Sequence, residues 1–310
     1  MTSIQHIVNV SGGKDSTAIY LLAMESGRPF RAIHCDTGHE HPETEEYVRT
    51  LHERTGGPKV EIIRADFTKD FARKRAYLLE HWPREGMPQE RVDRAAALLE
   101  RPTGIPFLDL CMMKGRFPST RARFCTEELK VLPAMRQVIL PAAQNGPVLR
   151  WVGVRADESA ARAKALPLQR DDHRRVWIWR PILRWSVEQV FDMHRKHGVE
   201  PNPLYKMGMG RVGCMPCIMA KKAEIAEIAR RWPEQFDRVA EWERLVAETS
   251  KRGKGTLFAS DKTPDQPVNG VYPGIHQVAG WAKTSRGGEQ YDLERFMPPP
   301  SCSSIYGLCE

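Results

Sequence analysis

No stretch of this 310-residue chain approaches the roughly 18 consecutive apolar residues that a membrane-spanning helix requires. Residues 1–13 also lack the apolar h-region of a secretory signal. A cytoplasmic protein with no membrane partner is the expectation. Internal repeats and low-complexity tracts are missing as well, which argues against a solenoid or a disordered scaffold. The seven cysteines do not suit a disulfide framework in a reducing compartment, and their odd number points instead to metal, cluster or redox chemistry. What the chain has in excess is positive charge. A formal net charge of +8 and a pI near 9.2 favour a polyanionic partner or a highly phosphorylated small substrate.

Residues Ser11, Gly12, Gly13, Lys14, Asp15 and Ser16 follow the short apolar run Ile4 to Val10 and precede a helix-like stretch from Thr17 to Ser26. That order is strand, glycine turn, helix N-terminus, where outward-pointing N–H groups, the helix macrodipole and the charge of Lys14 together suit a phosphate or pyrophosphate. A Walker A loop is excluded, because its four-residue spacer is lacking and Asp15 intervenes before Ser16.

Short β-prone runs then alternate with amphipathic stretches: strands at Phe30 to Cys35 and Lys59 to Ile63, and a helix over Thr44 to Thr55. The alternation predicts an α/β fold with a parallel twisted sheet and helices on both faces. Further helices are expected at Lys69 to Glu80, Gln89 to Glu100 and Leu129 to Leu140, followed by a loop from Pro141 to Pro147 and a late strand from Val148 to Val154. Val176 to Ile182 is a short apolar run, and Ser186 N-caps a helix reaching His197. Residues 1–205 are thus read as a nucleotide-binding α/β domain, and residues 206–310 as a mostly helical, cysteine-containing extension. Within the extension, helices cover Ala223 to Ser250, and Lys251 to Gly274 is a long loop.

Ligands of open α/β sheets sit beyond the carboxyl ends of strands, so three post-strand segments matter. Asp36, Thr37 and Gly38 could orient a ribose or Mg²⁺ and approach a nucleotide, or could simply form a turn leading to Pro42 at a helix start. Gly153, Arg155 and Arg162 flank a helix start where two guanidinium groups could meet phosphates or a sulfate, or stand solvated. Cys125, beside Arg123 at a helix start capped by Thr126 or Cys125 itself, is expected to have a lowered pKa.

These segments, with GVRADES, WRPILRWS and NPLY, resemble in order those of the phosphoadenosine phosphosulfate (PAPS) reductase family of PP-loop ATP pyrophosphatases, over roughly residues 5 to 220. The resemblance is nearest in kind to the sulfurtransferases of DNA phosphorothioation and tRNA thiolation, and it implies an adenine nucleotide alpha hydrolase-like fold. It further implies cleavage of ATP to AMP and pyrophosphate with Mg²⁺, by way of Lys14 and Asp15, to activate a DNA or tRNA acceptor for sulfur transfer. A cysteine desulfurase or a thioredoxin-like protein would supply sulfur or electrons. The CxxC of Cys214 and Cys217 fits zinc, a redox pair or half of an iron–sulfur site. By the resemblance, Cys125, Cys214 and Cys217 bind a [4Fe–4S] cluster, either with an open iron or with a fourth thiol from Cys111, Cys302 or Cys309, of which the terminal pair, and Cys302 first, is the better source; Cys309 corresponds to a C-terminal nucleophile. Zn²⁺ on the same cysteines, reduction of PAPS or APS (adenylyl sulfate) to sulfite, sulfate adenylylation, and a metal-containing nucleic-acid-binding module are the alternatives.

Overall fold

The computed structural model describes residues 3–171, 175–258, 273–284, 304–306 and 308. Six strands form one sheet in the order β3-β2-β1-β4-β6-β5. The five strands β1 (Gln5–Asn9), β2 (Phe30–Asp36), β3 (Val60–Arg64), β4 (Val148–Trp151) and β6 (Val176–Trp179) run parallel, and the edge strand β5 (Leu168–Arg170) pairs antiparallel with β6. The chain moves outward from β1 to β3 and then returns to the other side of β1 as β4. The order therefore reverses between β1 and β4, and beyond their carboxyl ends lies the position where open α/β sheets bind ligands.

Central β1 directs Ile7 and Val8 to opposite faces, and both faces are covered. Ile7 packs with Ile33, Ala134, Val138 and Val176 on one face. Val8 packs on the other with α1 (Lys14–Glu25), through Ala18, Ile19 and Leu21. α2 (Pro42–Arg49) and α3 (Leu51–Thr55) break at Thr50, so the single helix expected over Thr44 to Thr55 is two. A third apolar cluster lies away from the sheet. It joins α4 (Thr68–His81), α5 (Gln89–Leu98) and α6 (Pro106–Lys114) to helices far along the chain.

Residues 124–145 are continuously helical and form α7, with two π-helical turns, Glu127–Val131 and Met135–Ile139. The loop expected from Pro141 is therefore replaced by helix to Asn145; Pro141 lies inside α7, just past the second π-helical turn, Met135–Ile139. After β4 come α8 (Ala160–Ala163), the β5–β6 hairpin and α9 (Val187–Lys196), which Ser186 caps through Gln189 in a reciprocal capping box. α10 (Lys222–Arg231), α11 (Pro233–Glu248) and α12 (Ile275–Ala282) pack on one another within the third cluster, and α11 packs on α5 and α6, so residues 206–258 share a core with residues 67–129. Of the long loop expected from Lys251 to Gly274, residues 259–272 lie outside the described residues.

Candidate active site

The glycine turn lies at the reversal point. Gly12 has φ +79°, and a Cβ there would meet Thr44 Cγ2 at 2.7 Å, so only glycine fits against α2. Gly13 is the N-cap of α1 and makes no side-chain cap. Ser16 staples the turn instead: its Oγ donates to Gly13 O at 2.8 Å and accepts from Ser11 N at 3.0 Å. Asn202 Nδ2 donates to Gly12 O at 3.2 Å, and Tyr205 Oη accepts from Lys14 N at 3.0 Å. Among the described residues, the amides of Gly12, Gly13, Asp15 and Ser16 meet no acceptor. Four donors at the positive end of a 12-residue helix are thus left for an anion.

Lys14 and Arg155 bracket Asp15. Lys14 Nζ is 2.9 Å from one carboxylate oxygen, and Arg155 Nε is 2.6 Å from the other. Arg155, whose side chain is 4% exposed, also bonds Asp157 at 2.6 Å and the Trp185 carbonyl at 3.3 Å, which locks the post-β4 segment against α1. Its neighbouring carboxylates raise its pKa further despite burial. Gly153 makes that approach possible, since a Cβ would sit 2.9 Å from Asp15 O and 3.1 Å from Ser16 N. Arg162 pairs with Glu158, whose Oε2 also accepts from Arg155 N, so the two arginines meet on one carboxylate. Over the turn, Tyr205 and Tyr306 place their rings 5.6 Å and 5.5 Å from Lys14 Nζ, and Tyr306 Oη donates to Gly210 O at 2.6 Å.

The segment after β2 forms one wall, and the CxxC docks against it. Asp36 does not present a free carboxylate: Arg64 Nε donates to it at 2.6 Å and Gly38 N at 2.8 Å, so it shapes the turn. Gly38 has φ +67° and packs on Ile105 and Pro106. Thr37 Oγ1 donates to Glu40 at 2.6 Å, and Cys214 Sγ lies 3.6 Å from Thr37 Oγ1 and 3.7 Å from Glu40 Oε1. Met215 N donates to His39 O at 2.7 Å. His39 Nε2 lies 3.0 Å from Pro216 O while Arg238 faces Nδ1 at 3.4 Å, so the ring is neutral with its proton on Nε2. Burial accordingly pulls its pKa down to about 3.

The expected low pKa of Cys125 is overturned. Burial raises it, and charge on Cys217 raises it further, outweighing Lys130. Thr126 and Cys125 make no cap either; Arg123 occupies the N-cap position without a side-chain bond. Burial pushes Cys214 up to about 12, and completely buried Cys111 well above the ordinary range. Lys130 and Arg211 both feel Cys214 and Cys217. Three soft thiol donors beside two cations suit, in donor type, a thiolate-bound anionic group. Among the described residues, however, no three His, Cys, Asp or Glu side chains converge as a metal site. Cys302 and Cys309 lie outside the described residues.

Lys14, Asp15, Gly153 and Arg155 are thus brought together, while Asp36 is occupied by Arg64. Sequence reasoning assigned no role to Tyr205, to Asn202, or to His194, whose Nε2 lies 3.0 Å from Lys14 O. NPLY was the available signal for the first two, and nothing local marks His194.

Comparison with known proteins places these features in a family. The phosphoadenosine phosphosulfate reductase domain model matches residues 5–103 and 109–220. The chain is 48% identical over 325 aligned positions, 98% of its length and 96% of the relative's, to an uncharacterized 37.8 kDa protein of Escherichia phage 186. It is 29% identical to the adenosine 5'-phosphosulfate reductase of Allochromatium vinosum over 121 residues, covering 39% of this chain and 45% of that one. A PAPS reductase structure from Candida auris aligns at TM-score 0.42 and 18% identity, covering 70% of this chain and 84% of the other.

Proposed function

The chain belongs to the phosphoadenosine phosphosulfate reductase domain family, and on that premise we propose that it splits ATP to AMP and pyrophosphate in order to activate an acceptor, nucleic acid in our reading, for sulfur transfer. The observation that carries this is the set of four unbonded amides beside Lys14 and Arg155, a cradle for the outer phosphates of a triphosphate. As the acceptor oxygen bonds to the α-phosphorus, the α–β bridging P–O bond breaks and charge grows on pyrophosphate. The amides and Lys14 meet that charge where it develops. Asp15 and Asp36 already hold cations, so Mg²⁺ would be held chiefly by phosphate oxygens. A sulfide-level sulfur nucleophile, supplied by a separate donor, then bonds to the activated atom as the bond to the former acceptor oxygen breaks and AMP leaves carrying that oxygen.

Cys125, Cys214 and Cys217, with Cys302, would hold a [4Fe–4S] cluster, whose chemistry when bound is to carry electrons or sulfur. Zn²⁺ on the same thiols is the alternative. The test is pyrophosphate release from ATP and Mg²⁺, with and without DNA or tRNA. Lys14→Ala should lower it at least tenfold; an unchanged rate refutes the reading.

A second reading, adenylyl-sulfate reduction to sulfite with Cys309 as nucleophile, is favoured by the contact with Lys14 of Tyr306, a near neighbour of Cys309 in sequence. Sulfite release from adenylyl sulfate, lost in Cys309→Ser, would establish it.

A further inference from the structure

The β5–β6 hairpin extends the sheet beyond its helices. Cross-strand pairs Leu168–Trp179 and Arg170–Trp177 set these four side chains on one face, the face that α1 and α9 cover nearer the centre of the sheet. Trp179 still packs against that cluster, but among the described residues no helix covers the rest of the face: Leu168 is 51% and Trp177 38% exposed, with Leu166 at 60% beside the strand. Arg170 lies over the Trp177 ring, 5.9 Å from its centroid. Asp171 points to the opposite face, where it pairs with Arg150 at 3.2 Å. Lys164, Arg175 and Arg184 are exposed and have no carboxylate partner among the described residues. Residues 160–184 carry seven Lys or Arg against two Asp.

Both feet of the hairpin stand at the nucleotide site. Arg155, which holds Asp15, opens the segment and bonds the Trp185 carbonyl that closes it, and Ala156 N donates to Leu183 O at 2.8 Å. Trp179 is level with Trp151 and, through it, with Val8, only a few residues short of the glycine turn.

We propose that this face is the docking platform for a single-stranded nucleic acid, which stacks a base on Trp177 and lays its phosphates along the surrounding cations. An aromatic face within a basic stretch is the pairing that unpaired bases recognise, because every base has a π-face and every linkage a charge. Duplex DNA hides its base faces and offers only the charge. The inference rests on the nucleic-acid acceptor reading and names the surface that serves it.

The test uses the full chain and a fluorescein-labelled 20-mer oligo(dT), followed by anisotropy in low salt, against a duplex of equal length. Tighter binding of the single strand is expected. Trp177→Ala should weaken it roughly tenfold, with Trp177→Phe restoring most of the affinity, while Arg244→Ala on distant α11 leaves it unchanged. Equal affinity for duplex and single strand, an unaltered Trp177→Ala, or no binding at all overturns the platform. ATP cleavage assayed in parallel separates the two failures. Cleavage without strand binding removes the platform alone, whereas Trp177-dependent strand binding without cleavage removes the ATP chemistry and leaves the platform standing.

Discussion

Replacing Gly153 by alanine tests whether the post-β4 segment and the first turn of α1 are one rigid unit. The added Cβ would stand 2.9 Å from Asp15 O, 3.0 Å from its carbonyl carbon and 3.1 Å from Ser16 N, all backbone atoms. Ordinary carbon contacts begin near 3.4 Å, so one element must retreat by a few tenths of an ångström. Neither moves freely: Ile19 on α1 and Trp151 on β4 are buried in the same cluster, and Arg155 ties the two together through Asp15. Overpacking of that kind costs about 1–3 kcal/mol. The displaced atoms belong to the residues whose amides await the phosphates, so nucleotide affinity should fall about tenfold or more, beyond what the stability loss explains. Thermal unfolding and calorimetric titration with a non-hydrolysable ATP analogue read the two effects. Gly213→Ala is the control, since a Cβ there meets nothing within 4 Å. If Gly153→Ala melts and binds like the parent, the rigid-unit argument is wrong.

Buried Glu243 accepts from Leu257 N at 2.8 Å and Ile275 N at 2.9 Å, and burial raises its pKa to about 7. The native state therefore holds a proton that the unfolded chain has lost between about pH 4.5 and 7, and stability falls as pH rises through that window. Urea melts of Glu243→Gln should gain on the parent by up to about 3 kcal/mol across it; a pH-independent difference refutes the assignment. Gly280, exposed within α12 and facing open space, should accept alanine with a gain of about 0.5–1 kcal/mol in chemical denaturation; a loss would show that the helix is not formed there. Tyr306→Ala should uncover Lys14 and speed nucleotide association several-fold in stopped flow, whereas an unchanged rate would mean that the tail does not screen the turn.

The glycine turn, its flanking strand and helix, and the parallel sheet were legible because their signals are local: apolar runs of strand length, glycines, and a lysine at a helix start. Elements escaped where local signals fail. α6 carries Phe107, Leu108, Leu110, Cys111 and Met112, buried all round its axis, so no 3.6-residue stripe appears. β5 is three exposed residues with no apolar alternation, and only its pairing with β6 defines it. Cys125 failed differently. A helix start and a nearby arginine argue for an acidic thiol, but burial acts on the whole side chain and outweighs them, and the neighbour that matters, Cys217, is far away in sequence. Tyr205 and His194 reach the turn from nearly two hundred residues on, a distance that only the fold closes.

That closure also decides how the turn handles charge. Lys14 and Arg155 share one carboxylate, Asp15, and Arg155 also meets Asp157, so two cations face two carboxylates and the four amide dipoles supply the excess positive potential. A phosphate arriving there competes with Asp15 for Lys14, whereas Arg155, 4% exposed and bonded also to Asp157 and the Trp185 carbonyl, has no freedom to swing. Lys14, paired with one carboxylate oxygen beside two tyrosine rings, is thus the less tethered cation, and Arg155, with three acceptors, the more tethered one. The same economy extends to the wall. The segment from Asp36 to Thr44 presses Thr44 against Gly12 and docks Met215 N on His39 O, so any shift of the CxxC is transmitted to the glycine turn through one short run of backbone. The segment that bears Cys214 and the turn that bears Lys14 are thus joined by packing through residues 36–44.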